Sequence, residues 1–242
     1  MSKPRITDYL TELKQEAGGL RAIAGTDVLP RHAPSRPEAT VADLLTDLVG
    51  LYRWAADALE ADGAADIPRP PAAPVQRLED LDGALAAVVD ALESHPPESP
   101  AWTWAPVERR AEFWHRRVVV ATGLARWDVQ MAVGATAPIP VPLAAETISE
   151  VFEAHLPAGR RRTDSDHDGL VQLFAQDADA TWFVRLREGR IALLDHPDSR
   201  TELQARAAGS ASDIALALWG RLPFGICDVV GDEVLLQSLR VE

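Results

Sequence analysis

Side chains with reactive chemistry are spaced sparsely along this 242-residue chain, and their spacing excludes several familiar sites. The run "DSDHDG", Asp164 to Gly169, puts acids at positions one, three and five of a calcium-type loop, with glycine at six. Position twelve, where that loop needs a bidentate glutamate, is Ala175 in a strand-like run, so the segment reads as an acidic surface turn. Six histidines, at 32, 95, 115, 155, 167 and 196, include no i, i+4 pair on one helix and signal no dedicated zinc site. His32, His95, His155 and His196 stand beside prolines or at element ends and read as surface residues. His115, next to Trp114, Arg116 and Arg117, reads as a partly exposed helix residue. The single cysteine, Cys227, supports no disulfide framework and reads as a small buried apolar residue. No serine occupies a G-x-S-x-G elbow, and no glycine-rich phosphate loop opens a helix. "GRRRTDSD" is a solvated loop whose charges offset each other.

Net charge narrows the partners. A formal charge of −13 and a pI near 4.9 leave no basic footprint for nucleic acid or anionic lipid. No apolar run approaches a bilayer span, and "MSKPRITDYL" lacks a signal-peptide core, so a soluble cytoplasmic protein is expected. Arginine far outnumbers lysine, a bias of GC-rich bacterial coding.

The elements that must position these residues fall into two halves. "ITDYLTELKQEAGGLRAIAG" has a helical apolar period interrupted near Gly18 and Gly19, and "TVADLLTDLVGLYRWAADALEADG" is a second helix behind a Thr40 cap. The proline-rich "IPRPPAAPV" connects to a third helix, "LEDLDGALAAVVDALES". After "HPPESPAWTWAP" comes a fourth, "EFWHRRVVVATGLARWDVQMAVG". Together they predict an antiparallel four-helix bundle over residues 1–137. Prolines 138, 140 and 142 mark an extended boundary. Beyond it, a short helix "TISEVFEAHLP", strand-like runs "LVQLFAQD", "TWFVRLREG" and "RIALLDHP", and a capped helix "SDIALALWGRLP" predict a small α+β domain over 138–242.

Four of these stretches, "RPEATVADLLTDLVGLYRWAADAL", "FWHRRVVVATGLARWD", "PIPVPLAAETISEVFEAHLP" and "SASDIALALWGRLP", resemble in order and spacing the mycothiol-dependent maleylpyruvate isomerase family of actinobacteria. That resemblance implies an α+β protein of two domains, a DinB-like four-helix bundle followed by a sterol-carrier-like α+β domain. It also implies one divalent metal, usually zinc, held by a histidine of helix two and by the glutamate and histidine of helix four. Counting from "YRW" puts Asp47 at the first position; counting from "RWD" puts Ala121 and Ala125 at the other two. Alanine methyls cannot donate an electron pair, so no bound metal is expected. Asp47 is a poor substitute as a base, because taking a proton from a thiol is uphill by roughly 6 kcal/mol from the reference pKa values.

Under this resemblance the leading expectation is a metal-free homologue that binds a small molecule or thiol conjugate in an interdomain cleft. Mycothiol would be a co-substrate in any thiol transfer, isomerisation or rearrangement there. Asp47, Asp128 and Arg221 are the candidate catalytic residues, and Trp54, Trp114, His115, Arg117, Ala121, Ala125 and Trp219 the candidate substrate contacts. Two alternatives remain: a non-catalytic binding or regulatory protein with the bundle as scaffold, and a metalloenzyme in which His115 or another histidine joins Asp47.

Overall fold

The computed structural model describes residues 4–61, 66–162, 167–197 and 202–241. The chain separates into two units, one of residues 7–137 and the other of residues 138–242 with a short N-terminal segment ending at Ile6. It is a mixed helix and sheet protein. Among the described residues no helix is long and apolar enough to cross a membrane.

Residues 7–137 hold α1 (Tyr9–Ile23), a small hairpin of β1 (His32–Ala33) and β2 (Arg36–Thr40), then α2 (Val41–Glu60), α3 (Leu78–Ser94) and α4 (Glu112–Val133). Helix α2 starts where the sequence places it. The Thr40 hydroxyl accepts from the Asp43 amide while the Asp43 carboxylate accepts from the Thr40 amide, a reciprocal cap. The Thr40 hydroxyl, which also donates to the Asp43 carboxylate at 2.7 Å, and after it the Thr40 amide hold the Asp43 carboxyl below its ordinary pKa. Contrary to the expected interruption, α1 runs unbroken through Gly18 and Gly19. A Cβ on Gly19 would stand 3.0 Å from the Arg126 Cδ, so its missing side chain lets α1 approach α4 closely.

Helix α1 packs on α4, α4 on α2, and α2 on α3. The helices are not all antiparallel to their neighbours as the sequence suggested. The connector after α2 runs back along it: the Trp54 Nε1–H donates to the Ile67 carbonyl at 2.8 Å, and the Val75 amide donates to the Thr46 hydroxyl at 2.8 Å. Helix α3 therefore begins beside the start of α2 and runs the same way. It runs opposite to α1, to which Lys14–Glu93 (2.8 Å) and Arg21–Asp82 (3.0 Å) tie it. Helix α4 ends on Gly134, whose φ of 71° lets its amide return to the Gln130 and Met131 carbonyls.

In the other unit, α5 (Val141–Glu150) continues into a wide π-type turn, Val151–His155. It starts earlier than the sequence suggested: Pro142 sits in the first turn, where a missing N–H costs nothing, so the prolines open a helix as well as a boundary. The sheet contains β3 (Gly169–Ala175), β4 (Ala180–Arg187), β5 (Arg190–Leu194), β6 (Ala205–Gly209) and β7 (Asp228–Gly231), in the order β5-β4-β3-β6-β7. Strands β3, β4 and β5 form a meander, β6 joins β3 in parallel, and β7 pairs antiparallel with β6. Ala180, Trp182, Val184 and Leu186 alternate inward on β4, as period-two patterning requires. Helix α6 (Ala211–Leu218), capped by the Ser210 hydroxyl, packs on α5 and against β3 and β6, and α7 (Glu233–Gln237) follows β7.

Candidate functional site

The "RWD" end of α4 is an anchor for its neighbours. Arg126 Nε lies 2.6 Å from Glu16 Oε2 of α1, with the two side chains only 8% and 7% exposed, and its Nη1–H donates to Gln130 Oε1 at 2.9 Å. Trp127 is buried. Asp128, 1% exposed, accepts from the Ser35 hydroxyl at 2.7 Å, which ties the β1–β2 turn to α4. One turn earlier, the Thr122 hydroxyl donates to the Val118 carbonyl, so it accepts the proton of the Tyr52 hydroxyl 2.7 Å away on α2. Complete burial pushes the Tyr52 pKa up. Beside these fixtures stand Ala121, half-buried, and Ala125, buried, one helical turn apart on one face. Arg117, itself buried, and Asp128 continue that face at either end.

Asp47 lies at the surface. Its side chain is 60% exposed, and Arg69 of the returning connector approaches it at 3.9 Å while donating to the Asp47 carbonyl at 3.3 Å. Seven residues on, Trp54 belongs to a cluster with Trp102 and Trp114, ring centroids 5.4 to 6.4 Å apart. All three indole N–H groups are used: Trp54 on the Ile67 carbonyl, Trp102 on Asp66 Oδ1 at 3.0 Å, and Trp114 on the Trp102 carbonyl at 2.6 Å. The cluster thus pins both long connectors onto α2 and α4.

His115 is buried, which corrects the partly exposed position expected of it. Its Nε2–H donates to the His95 carbonyl at 2.9 Å, so that nitrogen has no lone pair for a metal, and burial lowers its pKa. His155 is likewise buried, against the surface reading, its ring edge-on to Trp219 at 4.6 Å. Trp219 donates to the Thr147 carbonyl at 3.2 Å, and Arg221 Nη1–H to the Trp219 carbonyl at 2.8 Å. These two belong to the unit of residues 138–242, and the other eight candidates to the helical unit. Cys227 is buried, and desolvation raises its thiol pKa to about 11, far from a reactive thiolate. Asp164, Ser165 and Asp166 of the calcium-like run lie outside the described residues, while Ala175 is buried in β3.

The fold has known counterparts. The crystal structure of a mycothiol-dependent maleylpyruvate isomerase superposes with a TM-score of 0.57 at 13% identity, covering 88% of each chain. A histidine-to-alanine mutant of a mycothiol-dependent maleylpyruvate isomerase matches equally, at 12% identity. The likeness is one of fold. No protein-family model matches the chain, and no curated protein matches it in sequence.

Zinc, which the isomerase resemblance implies, does not suit the residues present. Asp47 stands exposed beside Arg69, and Ala121 and Ala125 offer no lone pair, so these three positions do not form the implied ligand set. Among the described residues no three of His, Cys, Asp and Glu cluster as a metal would need. What the sequence missed were the partners: Glu16, Ser35, Asp66 and Trp102 carry no motif, and only their position in space makes them anchors.

Proposed function

We propose that this chain is a metal-independent relative of the mycothiol-dependent isomerases and thiol transferases, one that binds a small molecule or thiol conjugate without zinc–thiolate chemistry. The observation that carries the reading is on α4. The "RWD" anchor is kept through Glu16 and Ser35, yet the face it orients presents Ala121 and Ala125 where that resemblance expects metal ligands. In this reading the ligand sits against the two methyl-sized residues, on the face that the buried Arg117 and Asp128 continue at either end. Mycothiol or its conjugate is the thiol that the resemblance points to. The same reading takes the helical unit as a DinB-like bundle and the sheet unit as a sterol-carrier-like domain, in a cytoplasmic protein of actinobacterial origin.

The test is a thermal-shift titration with mycothiol, an S-alkylated mycothiol conjugate and maleylpyruvate, each with and without chelator, beside metal analysis of protein purified without chelator. A saturable shift for thiol or conjugate that chelator leaves unchanged is expected. Stoichiometric zinc together with a zinc-dependent isomerase activity would refute the proposal. A second reading, a non-catalytic scaffold, is favoured by one observation: Trp54, Trp102 and Trp114 all spend their N–H groups on fixing connectors. It gains if none of the three compounds shifts the transition and Asp47→Ala changes nothing.

A further inference from the structure

Helices α1 and α3 touch little along their length, and between them lies a cleft of about 250 Å³. Ala17 and Leu20 form one wall, Leu81 and Leu85 the other, and the ring of Tyr52 lies beneath. Three features make it a site. First, two ion pairs span the gap between the helices, Lys14–Glu93 and Arg21–Asp82, so the cations and anions around it are already matched. Second, the Tyr52 hydroxyl gives its proton to Thr122, and no donor is left on the floor. Third, Gly18 on the α1 side has open space where a Cβ would stand. A mid-helix glycine is unfavourable by roughly 1 kcal/mol relative to alanine. Gly19 is explained by Arg126 at 3.0 Å, but no neighbour crowds Gly18, which lines the cleft with room for a larger side chain to fill it.

We infer that the α1–α3 cleft is a binding site for a small uncharged apolar molecule of roughly ten carbon atoms, independent of the alanine face of α4. Size and charge both set the class: cavities of about 150 Å³ hold benzene, and a ligand bearing a lone charge would have to leave it unmatched against an apolar wall. Helix-lined apolar sites of this kind are a common place for ligands.

Naphthalene is the probe. Titrated into the full chain and followed by amide chemical shifts, it should perturb residues 14–21 and 81–85 saturably. 2-Naphthoate and 2-naphthylmethylammonium should each bind at least about tenfold more weakly. Gly18→Phe, which fills the opening, should abolish the response, while Gly18→Ala should keep it and melt no lower than the parent. Leu85→Lys is a second block should Gly18→Phe fail to fold. Absence of saturable perturbation, persistence of it in the folded blocking variant, or equal affinity for naphthoate would each overturn the assignment.

Discussion

Removing one partner of the Glu16–Arg126 pair should be among the most damaging single changes in the helical unit. The atoms stand 2.6 Å apart and both side chains are more than nine-tenths buried. At an effective dielectric of about 20 the attraction is roughly 6 kcal/mol, most of which offsets the hydration both ions give up. The intact pair therefore contributes little net stability, but a lone buried guanidinium keeps the desolvation cost without the attraction. Gln130, at 2.9 Å, can accept a hydrogen bond from Arg126 but cannot neutralise it. Glu16→Ala should cost about 3 to 5 kcal/mol, and Arg126→Met a similar amount, whereas the double variant should cost clearly less than the sum. Glu12 is the complication to control: burial first, and Glu16 second, raise its carboxyl pKa. Without Glu16 it ionises more readily and shields Arg126 in part, so Glu12→Gln belongs in the cycle. Urea unfolding followed by circular dichroism, with hydrogen exchange on α1 amides, reads the effect. A loss below about 1 kcal/mol for Glu16→Ala, or simple additivity in the double variant, would refute the buried-pair argument.

Three further outcomes follow from single contacts. Trp114→Phe keeps a ring but deprives the Trp102 carbonyl of its donor at 2.6 Å, and should cost about 1 to 3 kcal/mol in urea titration; less than 0.5 would deny the bond its structural role. His115 has a folded-state pKa lowered by burial, so below its ordinary value near 6.5 the unfolded chain binds a proton that the native chain resists. Its contribution to stability should fall as pH drops through that value, by at most about 1.4 kcal/mol per pH unit. His115→Gln should flatten that part of the profile, and an unchanged slope would contradict it. Gly134→Ala forces a Cβ into the left-handed region at φ 71° and should lower stability by about 1 kcal/mol, read by thermal unfolding; a neutral result would mean that the cap is unstrained.

Much of the scaffold was legible in the sequence because its signals are local. Thr40 capping α2, the four helical periods and the alternation of β4 each depend on neighbours a few residues away. Strand β6, "ARAAG", was not legible: small residues in the sheet interior, paired with β3 and β7, show neither alternation nor β-branched side chains. The course of α3 was hidden for another reason. A proline-rich connector can lead either way, and only the bonds of Trp54 to Ile67 and Thr46 to Val75 reveal that it turns back. At the candidate site, the alanines of α4 could be read directly, but their setting could not. Glu16, 110 residues from Arg126, and Ser35, 93 from Asp128, are ordinary surface-type residues until the fold brings them to α4.

The most direct test of the account is a calorimetric titration of the S-alkylated mycothiol conjugate into the full chain, with excess chelator and then with added zinc. Saturable binding of equal affinity under both conditions, weakened when Ala125→Phe fills the face of α4, is the expected result. Binding that requires zinc, or that Ala125→Phe leaves unchanged in a folded protein, would contradict a metal-independent site on that helix.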